Sequence, residues 1–142
     1  MNRLQHFVKY GLFTIFWMMV IWFLSSQPSL DVGLSGFWDV LFKKLAHIFV
    51  YSILALLLAK LLLGYHHWVG YKYGLVGLAL LAFLIGSLYA VIDELHQSFV
   101  PGRNPSVLDV GIDMVGVWFG LVWGVRLATG RLRKSWKVLL SR

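Results

Sequence analysis

The chain has 142 residues, enough for one compact unit and too few for two ordinary domains. Its apolar fraction of 59%, with seven Trp and ten Phe against only 13% charged residues, lies outside the range of water-soluble domains and identifies lipid as the solvent. The lack of cysteine excludes disulfides, thiolate metal sites and cysteine nucleophiles, and the net charge of +7 sits at the edges of apolar runs, which argues for anionic lipid and against nucleic acid as the partner.

Four apolar runs, at 7–26, 44–63, 73–92 and 106–127, are each long enough to cross roughly 30 Å of hydrocarbon. Turn signals separate them: Ser25-Ser26-Gln27-Pro28-Ser29, the glycine-bounded stretch 64–70, and Pro101-Gly102-Arg103-Asn104-Pro105. The expected fold is therefore all-α: an integral membrane bundle of about four transmembrane helices over residues 1–130, followed by a basic tail at 131–142. The first run has the basic start of a secretory leader, with Ser26 as a small residue for cleavage, but a retained helix is the better reading. In the tail, Leu132, Trp136, Leu139 and Leu140 share one helical face with cations elsewhere, the pattern of an amphipathic interfacial helix on the cytoplasmic leaflet.

If four helices alternate, ten of the thirteen Lys and Arg residues fall at one face, and Lys43, Lys44 and Arg103 at the other. Positive charge is retained inside, so both termini are expected to be cytoplasmic. The six acids, Asp31, Asp39, Asp93, Glu94, Asp109 and Asp113, all land at the outer end, which the charge rule does not require.

On the second run, Lys44, His47 and Tyr51 are three and four residues apart and form one stripe. On the third, Gly86, Ala90, Asp93, Glu94 and Gln97 share an arc, with small residues below the acids. The fourth opens with Asn104-Pro105-Ser106-x-x-Asp109, in which Asn104 or Ser106 can cap the helix and Asp109 can complement its dipole. Asp113 lies one turn deeper and needs a partner, and Gly116, Gly120 and Gly124 continue its stripe as a close-packing face. Arg103 precedes this helix, where a guanidinium fork can close over the acids or grip an anion. It is expected to pair with Glu94 or Asp109. His6, His66 and His67 lie at the cytoplasmic face and are assigned no role.

These residues resemble the VanZ-like family of bacterial membrane proteins, named for an accessory factor in teicoplanin resistance. The resemblance rests on Ser25-Ser26-Gln27-Pro28, on Lys44-x-x-His47-x-x-x-Tyr51, and on Glu94-x-x-Gln97-x-Phe99-x-Pro101-x-Arg103-x-x-Ser106-x-x-Asp109 leading into Gly116-x-x-x-Gly120. The chain departs from the family pattern with Lys43 where an Asp is frequent and Asp113 where an Asn is frequent, and Asp39 stands in for the missing acid one turn earlier. The resemblance implies action at the bacterial envelope, on or near peptidoglycan precursors or the glycopeptide itself.

The leading expectation is a multi-pass protein of the bacterial cytoplasmic membrane with an outward polar pocket. Lys44, His47, Tyr51, Asp93, Glu94, Gln97, Arg103, Asp109 and Asp113 would bind an anionic lipid-linked or peptidoglycan-precursor-like ligand there. The partners are then the bilayer and such a precursor or the glycopeptide. The alternative is a membrane-embedded hydrolase or transferase acting at a lipid phosphate, with Glu94 or Asp93 as general base and His47 or His96 as acid, assisted by a divalent cation. No metal-ligand spacing is diagnostic, and no cofactor is assigned.

Overall fold

The computed structural model describes residues 2–28, 36–63 and 74–140, with side chains described through residue 130. Expectations resting on Asp31, Lys72, Arg142, the 64–70 turn and the apolar face of the tail lie outside those residues and side chains.

Four helices follow in chain order: α1 (Arg3–Ser25), α2 (Phe37–Leu63), α3 (Gly74–Gln97) and α4 (Val107–Leu140). Each is long and apolar enough to cross a membrane. α1 starts on a reciprocal cap in which Asn2 Oδ1 accepts from Gln5 N (2.8 Å) and Gln5 Oε1 from Asn2 N (3.0 Å). α2 begins seven residues before the apolar run at 44–63, because Asp39 and Lys43 neutralise each other one turn apart (2.6 Å) and Phe37 and Trp38 suit the membrane interface. α3 runs five residues beyond 92, so Asp93, Glu94 and Gln97 project from regular helix. At the start of α4 the Ser106 hydroxyl, not Asn104, accepts from a first-turn amide, that of Leu108 (3.1 Å). The basic tail is helical through Leu140, and that helix continues the fourth span without a break.

Alternation of the four helices brings the C-termini of α1 and α3 to the same end of the bundle as the N-termini of α2 and α4. All the described acids lie there, and this is called the acid-bearing end.

α2 and α4 run parallel and share the most extensive contact. A Cβ on Gly116 would stand 2.6 Å from the Ile48 carbonyl oxygen, and one on Gly120 or Gly124 would collide with Ser52 O or Ala59 Cβ. Small residues thus let the two backbones touch, as expected from the glycine stripe. The Ser52 hydroxyl adds a bond across the seam to Gly116 O (2.9 Å). α3 covers this pair, with Gly86 against Val117 and with Ala82, Tyr89 and Ala90 in the core alongside Tyr51, Leu54, Leu58 and Leu121.

α1 stands at the edge, with 11% of its most apolar stretch buried against 33% for α4. It is held by hydrogen bonds to main-chain oxygens: Trp17 Nε1 donates to Val50 O (2.9 Å), Tyr89 OH donates to Met18 O (2.6 Å), and His6 Nε2 lies 2.9 Å from Lys60 O.

Candidate functional site

At the acid-bearing end, the stripe on α2 meets three different carboxylates. Lys44 pairs with Asp109 at the start of α4, and His47 Nδ1 lies 2.9 Å from Oδ1 of Asp113 one turn deeper. The parallel course of α2 and α4 makes this possible, because spacings of three and four on one helix face the same spacings on the other. Tyr51, the third member, turns to α3 and donates to Asp93 Oδ2 (3.2 Å).

Asp93 joins three helices. Its Oδ2 also accepts from Ser25 Oγ at the end of α1 (2.8 Å) and from Gln97 Nε2 one turn along α3 (3.2 Å). A carboxylate removed from water must find donors or lose much free energy, and here α1, α2 and α3 each supply one. Glu94 Oε1 accepts from the Ser106 amide (2.5 Å), so this acid fixes the entry to α4. Asp93, Glu94 and Asp113 are each buried, and each keeps one oxygen without a partner among the described residues.

The expected pairing of Arg103 with Glu94 or Asp109 is overturned. Arg103 Nε donates to Gln27 O (2.9 Å) and Nη2 to Leu24 O (3.0 Å), with a long contact from Nη1 to Gln97 Oε1 (3.4 Å). The guanidinium therefore caps carbonyls at and just beyond the end of α1, where the helix dipole favours a cation. Glu94 and Asp109 are satisfied by the Ser106 amide and by Lys44 instead. His96 is also drawn to α1: its ring stacks on Trp22 at 3.8 Å between centroids, and Nε2 lies 3.0 Å from Ser26 Oγ.

A cavity of about 220 Å³ opens between α1 and the α2–α3 pair. His47, Tyr51, Asp93 and Arg103 line it, together with Ser25 and Lys43, against apolar walls that include Ile21, Leu24, Phe42 and Val50. Of the nine expected binding residues, the structure brings these four to the cavity. Lys44, Asp109 and Asp113 belong to the α2–α4 seam and Glu94 to the entry of α4, while Gln97 bonds Asp93 and Arg103 from α3. Ser25 and Lys43 were missed: Ser25 was read as part of a turn although it closes α1, and Lys43 as a departure from a family pattern. Among the described residues, no three His, Asp or Glu side chains are grouped in a way that could hold a metal ion.

The sequence model of the family described as VanZ/LLP1 matches residues 10–128, which reaches into all four spans and includes every residue of the site. No curated protein and no solved structure matches the chain.

Proposed function

The chain belongs to the VanZ/LLP1 family, and from that premise we propose that its acid-bearing end faces outward from the bacterial cytoplasmic membrane and receives the anionic headgroup of a lipid-linked ligand. The cavity carries this reading. Apolar walls of Ile21, Leu24, Phe42 and Val50 lie beside Lys43, His47 and Arg103, an arrangement suited to a lipid whose tail stays in the bilayer while its phosphate meets the Lys43 and Arg103 cations and the His47 ring. Arg103 keeps N–H donors to spare, since three of the five on a guanidinium are engaged. A lipid-linked cell-wall precursor is the first ligand to try, given the association of the family with teicoplanin resistance, and the glycopeptide itself is the second.

Binding of phosphate-bearing lipids to the purified protein tests the reading. Arg103→Ala and His47→Ala should each weaken binding by about tenfold, the scale of one charge-assisted hydrogen bond. Variants that retain every candidate headgroup as well as the parent would remove the cavity from consideration. The orientation rests on the asymmetry of ten cations against three across the two faces. Cysteines placed at Pro28 and Gly130 of this cysteine-free chain should label from outside and inside, respectively. Labelling of both from one side would refute four alternating spans.

One observation favours the enzymatic alternative. His47 lines the cavity while its Nδ1 is held by buried Asp113, the base-and-orienter arrangement of proton-transferring sites. In that reading His47 takes a proton from a water attacking the phosphorus of a lipid phosphate, the phosphorus–oxygen bond to the leaving group breaks, and His47 returns the proton to the departing oxygen. Asp93 and Glu94, already occupied by protein donors, act as supports. Release of headgroup or phosphate by the parent, abolished in His47→Gln and Asp113→Asn with lipid binding retained, would decide for it.

A further inference from the structure

A second opening, between α3 and α4, has a different chemistry from the cavity along α1. The two helices touch where Gly86 lies against Val117. From that contact towards the end opposite the acids, their side chains leave a groove of about 590 Å³, lined by Leu75, Ala79 and Phe83 from α3 and by Trp118, Val122 and Val125 from α4. Arg126 is the one charged residue among the described residues that line it, and it lies at the end where α3 begins. Among the described residues no carboxylate pairs with this exposed guanidinium, and the segments that continue the chain past the groove, 64–73 and 127–142, contain no Asp or Glu.

We propose that this groove holds one acyl chain of an anionic phospholipid from the leaflet at that end, with the lipid phosphate paired to Arg126. The walls run about 12 Å along each helix, at 1.5 Å per residue, close to the roughly 15 Å that one leaflet contributes to the hydrocarbon. Val76, Leu80 and Trp118 on the rim are more than half exposed, so the groove opens sideways to lipid. The apolar walls take the chain whatever its headgroup, and the cation selects the charge, favouring an anionic over a neutral lipid by about fivefold. The site is separate from the headgroup cavity, which lies along α1 at the acid-bearing end.

Photocrosslinking separates this site from the cavity along α1. Phosphatidylglycerol and phosphatidylcholine, each with a diazirine in the acyl chain, are offered in equal amounts to the purified full-length protein in neutral micelles, and the modified residues are located by mass spectrometry. Adducts from phosphatidylglycerol on 75–83 and 118–126 should exceed those from phosphatidylcholine by about fivefold.

Arg126→Gln should bring that ratio near one, and Arg126→Lys should keep most of it. Lys9→Gln removes an exposed cation at the same end, on α1 and away from the groove, and should leave the ratio unchanged. Val76→Trp, at a lining position 71% exposed and outside the packed core, should lower adducts from both lipids at these residues. Equal labelling by the two lipids overturns the proposal, as does a preference that falls as far in Lys9→Gln as in Arg126→Gln, which is the general attraction of a basic surface. Absence of adducts in the groove also overturns it, and a dimer that Val76→Trp dissolves would then assign the groove to a second copy of the chain.

Discussion

Where α4 meets α2, backbone lies on backbone, with three glycines letting the helices touch and the Lys44–Asp109 and His47–Asp113 pairs closing the seam above them. Where α1 meets the rest, aromatic N–H and O–H groups, a serine and a guanidinium reach across to individual oxygen atoms, and much of the helix surface is left to lipid. The first kind of contact is continuous and leaves no room for a ligand; the second is made of separate bonds with space between them. The cavity lies in the second region, along α1; of the buried acids, Asp113 lies in the first, whereas Asp93 reaches α1 through Ser25. Tight packing holds the α2–α4 pairs in place, and looser packing leaves space along α1.

The largest expected effect tests the seam. Gly120→Val places side-chain carbon on the Ser52 carbonyl and Ala55 Cβ, and should cost about 3 kcal/mol in an SDS titration of the protein in mixed micelles. Gly111→Ala, at a position with nothing within 4 Å, should behave like the parent. Equal stability of the two variants would show that the seam does not hold the bundle. Next, His47→Ala leaves Asp113 Oδ1 without its partner and should cost about 2 kcal/mol, reduced to the extent that water enters beside the partly exposed imidazole.

At the α1 edge the effects should shrink. Arg103→Ala removes the cap on Leu24 and Gln27 and should cost about 1 kcal/mol globally. It should raise hydrogen exchange at the end of α1 while leaving α2 and α4 protected. Uniform acceleration over all four helices would mean that α1 is not a separable edge. Trp17→Phe keeps the ring volume approximately and deletes one bond to Val50 O, for about 0.6 kcal/mol, the average of a side-chain hydrogen bond within a membrane.

The spans, the gathering of acids at one end and the glycine face beneath Asp113 were legible in the sequence, because hydropathy and three-and-four spacing survive any detail of packing. The membership of the Lys44, His47 and Tyr51 stripe was legible too, but not that each would meet a different acid, which depends on α2 and α4 lying parallel and α3 crossing beside them. Arg103 was misread for a different reason. Its partners are main-chain carbonyls of Leu24 and Gln27, which every residue type possesses and no sequence pattern reveals. Ser25 was missed because it both ends the 7–26 run and opens the turn signal, and its bond to Asp93 depends on how α1 packs against α3. The early start of α2 was obscured because Asp39 and Lys43 read singly as charges that end an apolar run, while paired they are compatible with its continuation.

The parallel seam also bears on how the protein is made. Its partners are separated by about 65 positions, as in Lys44 with Asp109 and His47 with Asp113, and α3 is synthesised between them. At about 5–20 residues per second, α2 waits several seconds in the bilayer before its acidic partners exist. During that interval its lysine and histidine must be shielded by water, by headgroups or by the insertion machinery, since such groups are costly in hydrocarbon. A ribosome-bound chain stopped before Asp109 should therefore remain accessible to proteases or crosslinked to the machinery, and release should follow emergence of the last span. The helix that closes the seam, α4, is made after both helices it packs against.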